Sequence, residues 1–218
     1  MNLKESIKIV NANLIFVPLL ALSSIFIFPS YFMFLVILMF VLDPIAYGKL
    51  VGETIDLPKT TWCSLFNVHW KNYLVVGIIT GSPLIIMSFF YDDMNYIQKT
   101  TIKNLLGFII SCLTIYIWPL VFINKEIKPP IFQGINILLK NIRISTPLIL
   151  ITFFMFALKF LVELSLIKLM PLTSFKVFLI FIAPRTINVY LEFIILTSAT
   201  MFIKEHANKL INQQELNE

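Results

Sequence analysis

Five ionisable residues sit inside long apolar runs of this sequence: Asp43, Lys159, Glu163, Arg185 and Glu192. On insertion scales such a side chain costs about 2.5–3.5 kcal/mol at the centre of a bilayer, so each calls for a partner or a task. Lys159 and Glu163 are four residues apart, on one helical face and of opposite charge. That spacing suits an intrahelical pair that helps its helix insert. The same two residues with Arg185 and Glu192 allow a second arrangement, an interhelical cluster lining a polar cavity, fit to gate a path or hold an anionic group. Asp43 stands before Pro44 near the end of an apolar run. The proline frees a carbonyl and kinks the helix. The carboxylate there either holds a cation or proton, or pairs with a lysine such as Lys49.

Enzyme signatures are missing. The two histidines, His69 and His206, lie in no H-E-x-x-H, and no G-x-S-x-G or glycine-rich phosphate loop occurs. Asp92-Asp93 is an acidic pair, well short of the six to eight oxygens that calcium takes. Cys63 and Cys112 have no partner at metal-ligand spacing, and no disulfide is assigned. The reading is of no catalytic residues, no metal and no cofactor.

The elements that position these residues follow from composition. Of the 218 residues 58% are hydrophobic and 13% charged, and mean hydropathy is +0.88. Typical globular chains have about 45–50% and about 25%. Too little polar surface remains to cover a soluble fold of this size. The expectation is a single integral membrane domain over residues 1–218: all-α, a polytopic helical bundle. The net charge of +5 comes from lysines flanking the apolar runs, so it reads as topology and not as nucleic-acid binding.

A bilayer core of about 30 Å takes about 20 helical residues. Six runs fit: Val10–Phe28, Tyr31–Tyr47, Tyr73–Tyr91, Leu105–Ile123, Pro147–Ile167 and Thr186–Ile203. Pro29-Ser30 divides the first two. Phe175–Ala183, ahead of Pro184-Arg185, is either an interfacial helix or the upper half of a tilted, kinked last span. The run from Lys4 and Lys8 resembles a signal peptide but lacks a small-residue cleavage site, so it reads as a retained first helix. With six spans, eleven Lys and Arg residues fall on the side of the termini and four on the other. Both termini are therefore expected to be cytoplasmic in a cell membrane.

Two connections carry helical periodicity. Trp62, Leu65, Phe66, His69 and Trp70 form one apolar stripe, and Ile131, Ile135, Leu138, Leu139 and Ile142 form another. Proline opens each, at Pro58 and at Pro129-Pro130. Both are expected to lie in the membrane interface as amphipathic helices, with Trp62, Phe66 and Trp70 as anchors and Lys59 and Asn67 toward water. Gly77 and Gly81, four apart, offer a helix-packing surface, internal or at a homodimer interface. Pro83 and Pro119 predict kinked neighbours.

A parallel internal repeat emerges from this order. Asp43-Pro44, a connector, the first amphipathic segment, Lys71-Asn72 and a span are matched by Trp118-Pro119, a connector, the second segment, Lys140-Asn141 and a span. A proline-ended span, Tyr47-Gly48-Lys49-Leu50-Val51-Gly52, the aromatic stretch Ser64–Tyr73 and a further span, repeated once, resemble a group of bacterial six-helix membrane proteins. That group includes the YesL-like proteins and the membrane domain of some glycerophosphodiester phosphodiesterases. The resemblance covers about residues 10–205 and implies no catalytic residue, because the hydrolytic domain of those enzymes is soluble and has no counterpart here. It implies a non-enzymatic accessory or regulatory component of a membrane transport system, with the lipid bilayer and a membrane-protein partner or second copy as contacts. A small permease or substrate-binding membrane subunit is the alternative, and a lipid-acting intramembrane enzyme a distant third. A polar midplane cavity holding the charged residues would favour the permease.

Overall fold

A computed structural model describes residues 2–23, 32–57, 61–90, 94–123, 130–168 and 174–215, with side chains over 2–22, 40–57, 61–90, 94–123, 130–165 and 182–206. The described chain is all-helical. In order the helices are α1 (Leu3–Ala12), α2 (Phe16–Ser23), α3 (Phe32–Thr54), α4 (Trp62–Ser88), α5 (Tyr96–Thr114), α6 (Ile117–Ile123), α7 (Ile131–Lys140), α8 (Ile142–Lys168) and α9 (Ser174–Glu215).

Prolines decide where two of the expected spans break. A proline's ring clashes with the carbonyl four residues back and removes a helical hydrogen bond. Pro18 points back to Leu14, inside the break between α1 and α2, where the axis turns by 76°. Pro119 points back to Ile115, inside the break between α5 and α6, a bend of 44°. The continuous helices expected over Val10–Phe28 and Leu105–Ile123 are thus each two pieces, and the kink expected at Pro119 is present. Pro83 does not end α4: Ser82 Oγ donates to the Ile79 carbonyl at 2.9 Å, the group the proline leaves without its amide.

Two further boundaries differ from expectation. The stretch from Gly48, read as a polar connector, continues α3 to Thr54. Asp56, with φ of +56°, then turns the chain, and the Leu57 amide reaches back to the Gly52 carbonyl at 2.8 Å. The first amphipathic segment is no separate interfacial helix, since α4 runs unbroken from Trp62 through Lys71-Asn72 to Ser88. Thr61 caps its start, accepting from the Ser64 amide. Phe175–Ala183 belongs to the 42-residue α9, which is continuous across Pro184. The second amphipathic segment is a helix of its own, α7, ending at Asn141, whose side chain bonds to the Ile137 carbonyl. A capping box of Asn95 and Gln98 starts α5. Pro29-Ser30, Pro58, Lys59, Asp92-Asp93, Lys125, Lys128 and Pro129 lie outside the described residues, as do the side chains of Lys168, Lys176 and Lys209.

The core forms around the inner stretch of α9. Val189, Phe193, Ile194 and Leu196 pack with Phe16 and Leu20 of α2, Ala46 and Leu50 of α3, Val76 of α4 and Val121 and Phe122 of α6. α1 lies against α9 through Ser6, whose hydroxyl bonds to Ser198 at 2.7 Å. By contrast α4 and α8 turn Ile78, Ile85, Ile86, Leu150, Phe153, Phe154 and Leu161 outward. Among the described residues α4, α8 and the Ile182–His206 part of α9 are each long and apolar enough to cross a membrane. The count rises to five if each bent pair is one span. The remaining run, Tyr31–Tyr47, begins on side chains outside the described set.

Candidate functional site

Helical repetition brings polar residues from separate helices to one place. On α9, Arg185, Asn188 and Glu192 recur at i, i+3 and i+7, one face of the helix. On α8, Thr152, Phe156 and Lys159 do the same at i, i+4 and i+7. These two faces meet across a cavity of about 270 Å³. Ser111 and Thr114 of α5 and Trp118 of α6 line it further, and Tyr47 of α3 and Tyr73 of α4 close it. The tyrosines belong to an aromatic cluster: the Tyr47 ring meets Tyr73, Trp118 and Phe193 edge-on at 6.3, 6.5 and 5.9 Å.

Two cations and one carboxylate face this space, leaving one positive charge in excess. Arg185 Nη1 donates to Glu192 Oε1 at 3.2 Å. Among the described residues Lys159 has no carboxylate within ion-pair distance, and its ammonium stands 5.7 Å from the Phe156 ring centroid. Asn188 is only 6% exposed, and its fully buried Oδ1 has no hydrogen-bond partner among the described residues.

The expected pair of Lys159 with Glu163 is not formed. Glu163 accepts from Asn104 Nδ2 at 2.7 Å and pairs with Lys103 at 3.8 Å, both on α5, and does not line the cavity. Spacing on one helix set the two side chains on one face, but α5 offered Glu163 closer partners. Asp43 does not pair with Lys49, which pairs instead with Glu53 at 3.9 Å. It accepts from the Tyr73 hydroxyl at 2.6 Å, and so stands behind the cavity wall. Pro44, beside it, is buried inside α3.

Among the described residues nothing lies within 4 Å of a Cβ added at Gly77 or Gly81. The close approaches lie at Gly107, against Phe156, and at Gly134, against the Ile117 backbone. Of the proposed anchors, Trp62 is 52% exposed, Trp70 is also exposed and stacks on Phe66, and Phe66 is half-buried against the core. Asn67 is exposed. His69 departs from the anchor reading: it is 7% exposed, 5.1 Å from the Phe122 ring. Among the described residues no group of His, Cys, Asp and Glu is placed to hold a metal.

Asn188, Thr152, Tyr47 and Tyr73 were not singled out from sequence. The signal for Asn188 was present, because it falls between Arg185 and Glu192 at helical spacing. The tyrosines carried none, since only packing turns them inward. No known family matches the chain, and no curated protein and no solved structure is significantly similar to it.

Proposed function

We propose that this chain is a multi-pass membrane protein whose bundle holds a solute site, acting as a small permease or as the substrate-binding membrane subunit of a transport system. The observation that carries this reading is the polar cavity with Lys159, Arg185, Glu192 and Asn188 on its walls. It occurs in a chain whose α4 and α8 turn broad apolar faces outward, more than a soluble monomer exposes. In the six-span arrangement the midpoint of Pro147–Ile167 is Ala157, so Lys159 lies about 3 Å from the midplane along the helix. A lysine at that depth needs water or a counter-ion. Both termini then face the cytoplasm, by the lysine distribution. α9, rising about 63 Å over its 42 residues, extends beyond the hydrocarbon. No catalytic role is assigned to the cavity, because its groups offer no nucleophile held by a base.

The test is solvent access. In full-length protein with Cys63 and Cys112 replaced by serine, Thr152→Cys should react with a membrane-impermeant thiol reagent in vesicles of one or both orientations. Asn67→Cys, on the exposed side of α4, is the positive control. A Thr152→Cys protein that stays unlabelled from both sides, while the control labels, refutes the site. The accessory role is the second reading, favoured by the open face of α4 around Gly77 and Gly81, which is free for another helix. Co-purification of one stoichiometric membrane protein in mild detergent would move the preference to it.

A further inference from the structure

We infer that the cavity takes an organic monoanion, one negative charge carried on an apolar chain; this rests on the solute site proposed above. The other charges around Lys159 are answered within the protein. On its own helix Glu163 is turned to α5, where Asn104 and Lys103 hold it. Across the cavity Glu192 is paired with Arg185 at 3.2 Å. Behind the wall Asp43 accepts from the Tyr73 hydroxyl at 2.6 Å. Among the described residues this leaves the Lys159 ammonium, half-buried and on the cavity wall, beside an aromatic ring and out of reach of any carboxylate. A ring face attracts a cation less than a carboxylate does, so the ammonium calls for an anion that the chain does not supply.

The walls fix what carries the charge. One ammonium balances one negative charge, so a phosphate or sulfate dianion brings a second with nothing to meet it. Ile115, Met155 and Leu196 on the wall cannot replace the water that a small inorganic ion sheds on entry. They gain instead by covering an aliphatic or aromatic group. Ser111 and Trp118 line the same space and can each donate one hydrogen bond, whereas Thr114 and Thr152 give their hydroxyl hydrogens to their own helices. A neutral solute leaves Lys159 without a counter-ion, and a cation adds repulsion. A water-soluble carboxylate and the lipid phosphatidylglycerol share this chemistry, a monoanion on an apolar chain, so the source must be told apart by experiment.

The measurement is equilibrium binding of radiolabelled hexanoate to the full-length protein in phosphatidylcholine nanodiscs, at about pH 7.5 where a carboxylate is ionised, above the signal of nanodiscs without protein. Hexanamide, of the same size but uncharged, and acetate, with the charge but only a methyl group, compete beside it. Hexanoate should bind saturably, and each analogue should compete about tenfold or more weakly. Hexanamide lacks the charge-assisted hydrogen bond, and acetate lacks the apolar burial. Lys159→Met should weaken hexanoate by a similar factor, to the level of hexanamide. The variant is first shown to be monodisperse with a wild-type melting profile, and is otherwise replaced by Lys159→Gln. Either analogue binding as tightly as hexanoate overturns the inference, as does Lys159→Met binding hexanoate like wild type. Nanodiscs that include phosphatidylglycerol then separate the sources. Hexanoate displaced there to the level of Lys159→Met assigns the monoanion to the lipid, and hexanoate bound as before assigns it to the solute. No hexanoate binding with Thr152→Cys still labelled overturns the ligand class and keeps the site. No labelling removes the site itself.

Discussion

From Asp43-Pro44 to Lys71-Asn72 the chain stays helical through both landmarks, with α3 running on to Thr54 and α4 crossing Asn72. From Trp118-Pro119 to Lys140-Asn141 the same order of residues breaks at both, ahead of α6 and again at Asn141. The contacts between the paired helices account for the difference. In the first region the small residue is on the earlier helix: a Cβ on Gly48 would sit 3.4 Å from Leu65 and from His69, ordinary tight packing of side chains. In the second region the small residue is on the later helix. A Cβ on Gly134 would lie 2.5 Å from Ile117 Cγ1 and 2.8 Å from the Ile117 backbone nitrogen. Here backbone meets backbone at the break that Pro119 opens, and α7 must end before α8 can leave at its own angle. A repeated hydropathy pattern therefore sets the order of helices, while the position of one glycine decides whether neighbouring helices fuse. The cavity's charges lie after the second region, on α8 and α9, and that region supplies Trp118. The first contributes the tyrosines.

Gly134→Ala is the strongest way to break that contrast. The new methyl must displace the Ile117 backbone, so a loss of about 3 kcal/mol is expected, read as a lowered melting temperature of purified protein. A wild-type melting curve would mean that the glycine does not hold α6 and α7 together.

Next comes the charge pair on α9. Glu192→Leu removes the carboxylate that pairs with Arg185. A fully buried pair would lose about 3–5 kcal/mol, and with each side chain about a third exposed about 2 kcal/mol is expected. The double replacement Arg185→Leu with Glu192→Leu should melt higher than the single one, since no stranded charge remains. If the double variant is the less stable, the pair is holding the fold and not only the cavity.

Glu163→Leu should cost about 1–2 kcal/mol, because the buried Asn104 amide loses its acceptor while Lys103, half exposed, returns to water. Adding Lys159→Leu to it should be nearly additive if the two residues have separate partners, as the contacts with α5 require. A coupling above about 1 kcal/mol in that cycle would restore the intrahelical pair.

The smallest effect belongs to the first region and has the opposite sign. Among the described residues a Cβ on Gly77 meets nothing, so Gly77→Ala in a helix interior should stabilise by about 0.5–1 kcal/mol. A destabilisation accompanied by loss of a dimer on size-exclusion chromatography would show instead that Gly77 packs against a second copy.

Much of the helix layout was legible. The breaks at Leu14 and Ile115 follow from Pro18 and Pro119 by counting four residues back, and only the second was drawn from sequence. The continuity of α4 through Asn72 was not legible, because Lys-Asn is as compatible with a helix interior as with a boundary. The charged residues were conspicuous for being in apolar runs, yet their pairing was misjudged for Glu163. An i, i+4 partner contributes only about 0.2–0.5 kcal/mol, and a neighbouring helix with an amide and an ammonium outweighs it.

By itself the sequence determined the all-helical class of the fold and which few residues were too polar for their surroundings. Periodicity and hydropathy are local properties, readable wherever the chain is long enough to repeat. Tertiary structure alone decided that Lys159 would face Arg185, Asn188 and Glu192 across one cavity, that Glu163 would turn to α5, and that Gly134 and Gly107 would be points of close approach. Those outcomes depend on the rotation of each helix about its axis. Rotation is set by side chains far apart in the chain packing at one density, and no window of sequence contains it.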